Sequence, residues 1–191
     1  MRMFVAVVPP PEIVEQIGDF LEPRRDADPA LRWTEPHQWH LTLAFLPHVG
    51  VRRLDELVER LTQAASRRTA FDVRFAGSGA FPAPERARVL WLGAAMHPPE
   101  EIDHLATGVR AAANSAGAVV QGGHFQPHLT LARIRKPQDV TRWLRVLDAY
   151  DGGRWTADSI ELVESHLGQG PAGHPRYETI ATSPLGRSVD S

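Results

Sequence analysis

The sequence predicts an α+β protein of two lobes: two pseudo-twofold-related, mostly antiparallel sheets with flanking helices around a central cleft. Three observations predict it. Segments of strand and helix period alternate along the chain, a hairpin signal interrupts that alternation, and one pentapeptide occurs twice, 88 residues apart. With 191 residues, 42% of them hydrophobic, the chain can bury one sizeable core or two small lobes that share a cleft. The expected domain is a single unit over residues 1–185, with 186–191 as a flexible tail.

Taken in order, residues 2–8 read as a buried strand. Pro11 then opens a helix to about Arg25, with Ile13, Val14, Ile17, Phe20 and Leu21 on its apolar stripe. Trp39 to Leu46 reads as a second strand, after which Leu54, Leu57, Val58 and Leu61 recur at helical spacing through about Arg68. Phe71 to Phe75 alternates as a half-buried strand does, Arg88 to Ala95 reads as its neighbour, and the Gly/Pro-rich residues 77–84 read as the turn between them. Pro98 and Pro99 open a helix that runs to about Ser115 and ends near Gly117. A strand from Phe125 to Ile134, a short helix after Pro137, and strands at 159–167 and 176–181 complete the pattern, with the chain loose from Ser183.

Composition excludes several classes of function. The net charge of −2 gives no general nucleic-acid coat, so any RNA contact must be local. Lys136 is the single lysine, which leaves individual arginines, whose planar forks suit phosphate oxygens, as the informative cations. The absence of cysteine removes disulfides, thiolate metal sites and cysteine nucleophiles together. The apolar run Phe4-Val5-Ala6-Val7-Val8 stops at three prolines, too short for a signal-peptide core or a membrane span, so the expected location is the cytoplasm with no membrane partner.

The pentapeptide His40-Leu41-Thr42-Leu43-Ala44 returns unchanged as His128-Leu129-Thr130-Leu131-Ala132. The offset far exceeds the roughly 20–50 residues of solenoid repeats, so it marks two related halves. In a strand, His and Thr two positions apart share one face while the leucines take the other. Each copy can therefore anchor its strand in a core and present an imidazole and a hydroxyl to the space between the lobes. That set suits phosphoryl transfer: in-line opening of a cyclic phosphodiester needs a base for water on one side and an acid for the leaving alkoxide on the other. Histidine serves either role near neutrality, and threonine hydroxyls can donate to the non-bridging oxygens.

The two strands, Trp39-His40-Leu41-Thr42-Leu43-Ala44-Phe45-Leu46 and Phe125-Gln126-Pro127-His128-Leu129-Thr130-Leu131-Ala132-Arg133, resemble the paired signature of the 2H phosphoesterase superfamily. Within it the chain most resembles the RNA 2′,3′-cyclic phosphodiesterases, historically called 2′-5′ RNA ligases. Arg2-Met3-Phe4-Val5-Ala6-Val7, Arg88-Val89-Leu90-Trp91-Leu92-Gly93 and Tyr177-Glu178-Thr179-Ile180 add to the likeness. The resemblance implies hydrolysis of a terminal 2′,3′-cyclic phosphate to a 2′-phosphate, with His40 as general acid toward O3′ and His128 as general base for water. No cofactor is expected, and the expected partner is an RNA 3′ end or nucleotide bearing the cyclic phosphate, bound by a monomer.

Thr42, Thr130, Arg133 and Phe45 are the expected substrate-binding residues. Arg133 matches a family arginine after the second motif, where it can neutralise phosphate or lie against a base; its alternative is a surface salt bridge. Strict alternation sets it on the face opposite His128, so a twist, bulge or strand end near Ala132 is required. Phe45 holds the corresponding position after the first motif, either stacking on a terminal base or packing in the core.

No metal is expected. His37 with His40 and His124 with His128 have spacings zinc sites sometimes use, but Pro127 breaks the second pair, no His-Glu-x-x-His occurs and no carboxylates cluster with them. Ser78 in Gly77-Ser78-Gly79 lacks a nucleophile elbow and reads as a turn. His166 and His174 flank a Gly/Pro loop that can line the groove or lie in solvent. Two alternatives to hydrolysis stay open: reversible 2′-5′ ligation at the same site, and a non-catalytic binder of RNA or nucleotide phosphate ends. Transfer RNA halves, oligonucleotides and small cyclic nucleotides present the same chemical group.

Overall fold

The computed structural model describes residues 1–186. Among these residues, nine strands and four α-helices follow one another as β1 (Met3–Val7), α1 (Pro11–Leu21), β2 (Leu31–Trp33), β3 (Leu41–Leu46), α2 (Leu54–Ser66), β4 (Phe71–Phe81), β5 (Ala87–His97), α3 (Glu101–Ser115), β6 (His128–Gln138), α4 (Thr141–Leu147), β7 (Trp155–Ala157), β8 (Ser159–His166) and β9 (Arg176–Pro184). All strand pairs are antiparallel.

Outward from the middle of the molecule, one half runs β3-β1-β8-β9 and the other β6-β5-β4-β7. The halves meet where Leu41 pairs with Leu129. These are equivalent positions of the repeated pentapeptide, so a pseudo-twofold axis passes between them and the two sheets join edge to edge there. Beyond the joint, β2 lies along β6, pairing Leu31, Arg32 and Trp33 with Ile134, Arg133 and Ala132.

The helices form where apolar stripes can be buried. On α2, Leu57, Leu61 and Ala65 recur every four residues on the buried face; on α3, Ile102, Leu105, Ala106, Val109 and Ala113 do the same. α3 is closed off just beyond Ser115 by Gly117, whose φ of +78° suits glycine, with Ala118 N–H bonded to the Ala113 carbonyl and Gly117 N–H to that of Asn114. α2 and α3 lie side by side over the β3 half. α1, although it follows β1 directly, packs on the other half: the Phe20 ring meets Tyr150 edge-on at 5.1 Å and Gln16 accepts from the Gly153 N–H at 3.1 Å.

Several boundaries differ from expectation. α1 stops at Leu21 and tightens into a 3₁₀ segment over Glu22–Ala27, because Pro23 cannot continue the α-helical ladder. Residues 77–81 are strand, not turn: β4 runs to Phe81 through a bulge in which Phe75 pairs with Ala94 and Ser78 with Leu92, with Gly77 at φ +78°. Ser78 instead fastens β4 to α4, its hydroxyl donating to Asp148 at 2.6 Å and lying 3.1 Å from the Leu144 carbonyl. β2 and β7, at three residues each, are too short to carry a periodic signal. The end is tighter than expected, since β9 includes Ser183, whose buried hydroxyl lies 2.9 Å from that of Thr62. Of the expected tail, residues 187–191 lie outside the described residues.

Candidate active site

β3 and β6 bring His40, Thr42, Phe45, His128, Thr130 and Arg133 into the wall of one cleft of about 490 Å³. Leu41, Leu43, Leu129 and Leu131, which alternate with them, are fully buried in the core. All six expected site residues therefore share the cleft.

Arg133 and Phe45 reach it through a bulge that the repeat carries twice. Leu90 pairs with Ala132 but Trp91 with Thr130, which leaves Leu131 as an extra residue; Val5 pairs with Ala44 but Ala6 with Thr42, which leaves Leu43 extra. Leu-Ala is thus buried at two successive positions in each strand. The extra residue turns the rest of the strand by one face, restoring Phe45 and Arg133 to the side of His and Thr. The bulge removes the conflict with strict alternation, and Arg133 has no ion-pair partner among the described residues. The Arg2 guanidinium lies over Phe45, 4.3 Å from the centre of its ring, and Phe45 also packs against the small cluster of Phe4, Ala6 and Val163.

The two histidines are held alike. His40 Nδ1 is 2.6 Å from the carbonyl of Gln38, and His128 Nδ1 is 2.6 Å from that of Gln126. A carbonyl only accepts, so each Nδ1 carries a proton and each Nε2 is left for chemistry. Their walls differ. The His40 ring stacks on Phe4 at 4.4 Å and meets Tyr177 edge-on at 5.8 Å, whereas His128 meets the edge of Phe81 at 4.9 Å and Trp91 at 5.8 Å. Burial among these groups lowers the pKa of His40 to about 4, against the opposing pull of the Gln38 carbonyl and with help from the His128 and Arg133 charges. Burial lowers that of His128 too, with Arg133 adding in the same direction and the Gln126 carbonyl opposing.

Sequence reasoning missed Arg2, Phe4, Arg32 and Tyr177, which also line the cleft. Phe4 is hidden in a run buried at every position, and only the pairing of β1 with β3 shows which of its faces meets the histidines. His174 lines the cleft as well, while His166 is tied to Glu178 at 3.3 Å. Glu164, His166 and Glu178 form a cluster that could hold a cation, but alternation sets it on the face opposite Ser165 and Tyr177, away from the cleft. Among the described residues no Asp or Glu side chain lines the cleft, so its donors do not form a carboxylate cation site. No helix among the described residues is long and apolar enough to cross a membrane.

Two lobes related by a pseudo-twofold, each giving a His-x-Thr strand to one cleft, define a 2H phosphoesterase. Residues 9–169 match the 2′-5′ RNA ligase superfamily, and the chain belongs to that family. It is 31% identical over 168 residues to an RNA 2′,3′-cyclic phosphodiesterase of Archaeoglobus fulgidus, covering 87% of this chain and 92% of that one. A crystal structure from Thermus thermophilus superposes with a TM-score of 0.79 at 28% identity, over 98% of this chain and 100% of that one. That of E. coli LigT complexed with 3′-AMP gives 0.75 at 28% identity, over 97% and 98%.

Proposed function

We propose that this chain hydrolyses RNA terminal 2′,3′-cyclic phosphates to 2′-phosphates without a metal, with His40 and His128 as its acid and base. The observation that carries the proposal is the matched pair of imidazoles, each with Nδ1 tied to a carbonyl and Nε2 left over, in a cleft lined by no carboxylate among the described residues. Relatives named RNA 2′,3′-cyclic phosphodiesterase and a neighbour that holds 3′-AMP agree with the substrate class.

In the proposed reaction the base takes a proton from water as its oxygen attacks phosphorus. The P–O3′ bond breaks in line, and the acid returns a proton to O3′. Thr42 and Thr130 donate to the non-bridging oxygens, and Arg133 offsets their charge. His128 as base and His40 as acid is the order the family resemblance implies. The opposite order has one observation in its favour: burial makes His40 the harder of the two to protonate. A phosphodiester anion between the rings raises both pKa values, and the seating of the ribose decides which ring faces O3′.

The same site run backwards would join a cyclic phosphate to a 5′-hydroxyl, but water at about 55 M favours hydrolysis in dilute solution. The acting form is read as a monomer, since one chain supplies every residue the reaction uses, and the cytoplasm as its place of action. Incubation of a nucleoside 2′,3′-cyclic phosphate in excess chelator is expected to yield the 2′-monophosphate. His40→Ala and His128→Ala are each expected to lose about 10²–10⁴-fold in kcat. Undiminished turnover in both variants would overturn the proposal; binding without turnover by the unaltered protein would favour a non-catalytic binder.

A further inference from the structure

We infer that the cleft contains a second anion subsite, formed by Arg32 and Arg135, for a phosphate on the 5′-oxygen of the terminal nucleoside; this rests on the proposed cyclic-phosphate reading of the site. Its substrate class is then a 5′-phosphorylated end, as any nucleotide inside an RNA chain is, in preference to a lone nucleoside cyclic phosphate.

The molecule has more acidic than basic residues, yet Arg2, Arg32, Arg133 and Arg135 line this cleft with no carboxylate among the described residues beside them. Arg2 is engaged with the Phe45 ring, and Arg133 acts close to the histidines, lowering the pKa of both. Arg32 and Arg135 remain. Arg32 pairs directly with Arg133 across β2 and β6, so the two guanidinium groups start from the same face at adjacent positions. Like charges directly opposite each other destabilise a sheet. Nothing among the described residues offsets them: neither Arg32 nor Arg135 has an ion-pair partner there.

Arg32 is also held in place. Its Nη2 donates to the Ala172 carbonyl at 2.9 Å, and Ala172 is the one non-glycine among the described residues with positive φ, at 52°. A left-handed alanine is strained, and such strain persists where its surroundings fix it. The loop thereby orients the guanidinium while leaving its other N–H groups unused. Arg135 lies two residues beyond Arg133, about 7 Å along the strand and farther from the histidines. The 5′-oxygen leaves the ribose on the side away from its 2′,3′ edge; with the ribose seated so that this side faces the far end of β6, a 5′-phosphate falls beside Arg32 and Arg135 and farther along the strand than the reacting phosphorus.

Three substrates with the same base test this: a nucleoside 2′,3′-cyclic phosphate with a free 5′-hydroxyl, the same nucleoside carrying a 5′-phosphate, and a dinucleotide ending in that cyclic phosphate. The unaltered protein is expected to favour both 5′-phosphorylated substrates in kcat/KM by about ten- to a hundredfold. Arg32→Ala and Arg135→Ala are expected to bring that ratio toward one, with Arg135→Lys recovering part of it. Equal rates on all three substrates would overturn the inference, as would a preference confined to the dinucleotide, which would trace to the neighbouring nucleoside instead. If no substrate turns over, the functional reading fails separately. Calorimetric titration with a nucleoside 3′-phosphate, with and without a 5′-phosphate, then decides: tighter binding of the 5′-phosphorylated form that Arg32→Ala abolishes supports the subsite, and equal affinities overturn it.

Discussion

In the proposed acid–base reaction, burial sets the protonation of the two imidazoles in a way that pH profiles can read. The acid must be protonated, so its contribution falls as pH rises through its pKa; the base must be neutral, so its contribution rises through its own. Burial holds His40 at about 4 and keeps His128 below its ordinary 6.5. The kcat/KM profile, which reports the free protein, is therefore expected to have its acid limb near pH 4 and to decline already below pH 6.5. An anionic phosphodiester raises both values, so the kcat bell belongs at higher pH than the kcat/KM bell. A kcat/KM optimum above pH 7, or coincident bells, would contradict this account of the site. The histidines and threonines were legible because they recur at one offset. Phe4 and Tyr177, which give His40 its surroundings, were not: the first sits in a strand apolar on both faces, and the second carries no partner in a repeat.

At the scale of the strand, the repeat specifies more than a face. Its second leucine is the extra residue of a bulge in both copies, and that residue turns position 45 and position 133 toward the cleft. The need for such a bulge could be read from the sequence in the second copy, where an arginine matched the family but alternated away; in the first copy a phenylalanine suited either face. The glycines of β4 misled because glycine is read as punctuation. Gly79 is instead a space: it pairs with Trp91, and a Cβ there would collide with the indole ring. Trp91 in turn borders His128. Gly79→Val is expected to destabilise the protein by about 1–3 kcal/mol through overpacking and to lower kcat by displacing the wall of His128. Adding Trp91→Ala, which frees the space, is expected to give a total loss smaller than the sum of two independent losses, measured as unfolding free energies in a double-mutant cycle. Strict additivity would mean the glycine matters for another reason.

For the whole molecule, a joint of one residue pair, Leu41 with Leu129, invites the view that the lobes are separable. The path of the chain argues otherwise. β1 and β3 start one half, β4 to β7 build the other, and only then do β8 and β9 return to close the first. α1 leaves the first half to pack on the second, and α3 leaves the second to pack on the first. A single buried cluster runs from Met3 to Leu185 through both. The two halves share one core, and the cleft between them draws a histidine from each. Thermal unfolding is accordingly expected to be one transition, with calorimetric and van't Hoff enthalpies equal, and cyclic-phosphate turnover lost within it. Leu129→Ala, which removes a fully buried side chain at the joint, is expected to cost about 2–5 kcal/mol. In a cooperative molecule that loss moves the single transition to lower temperature; in two separable lobes it would split the transition in two.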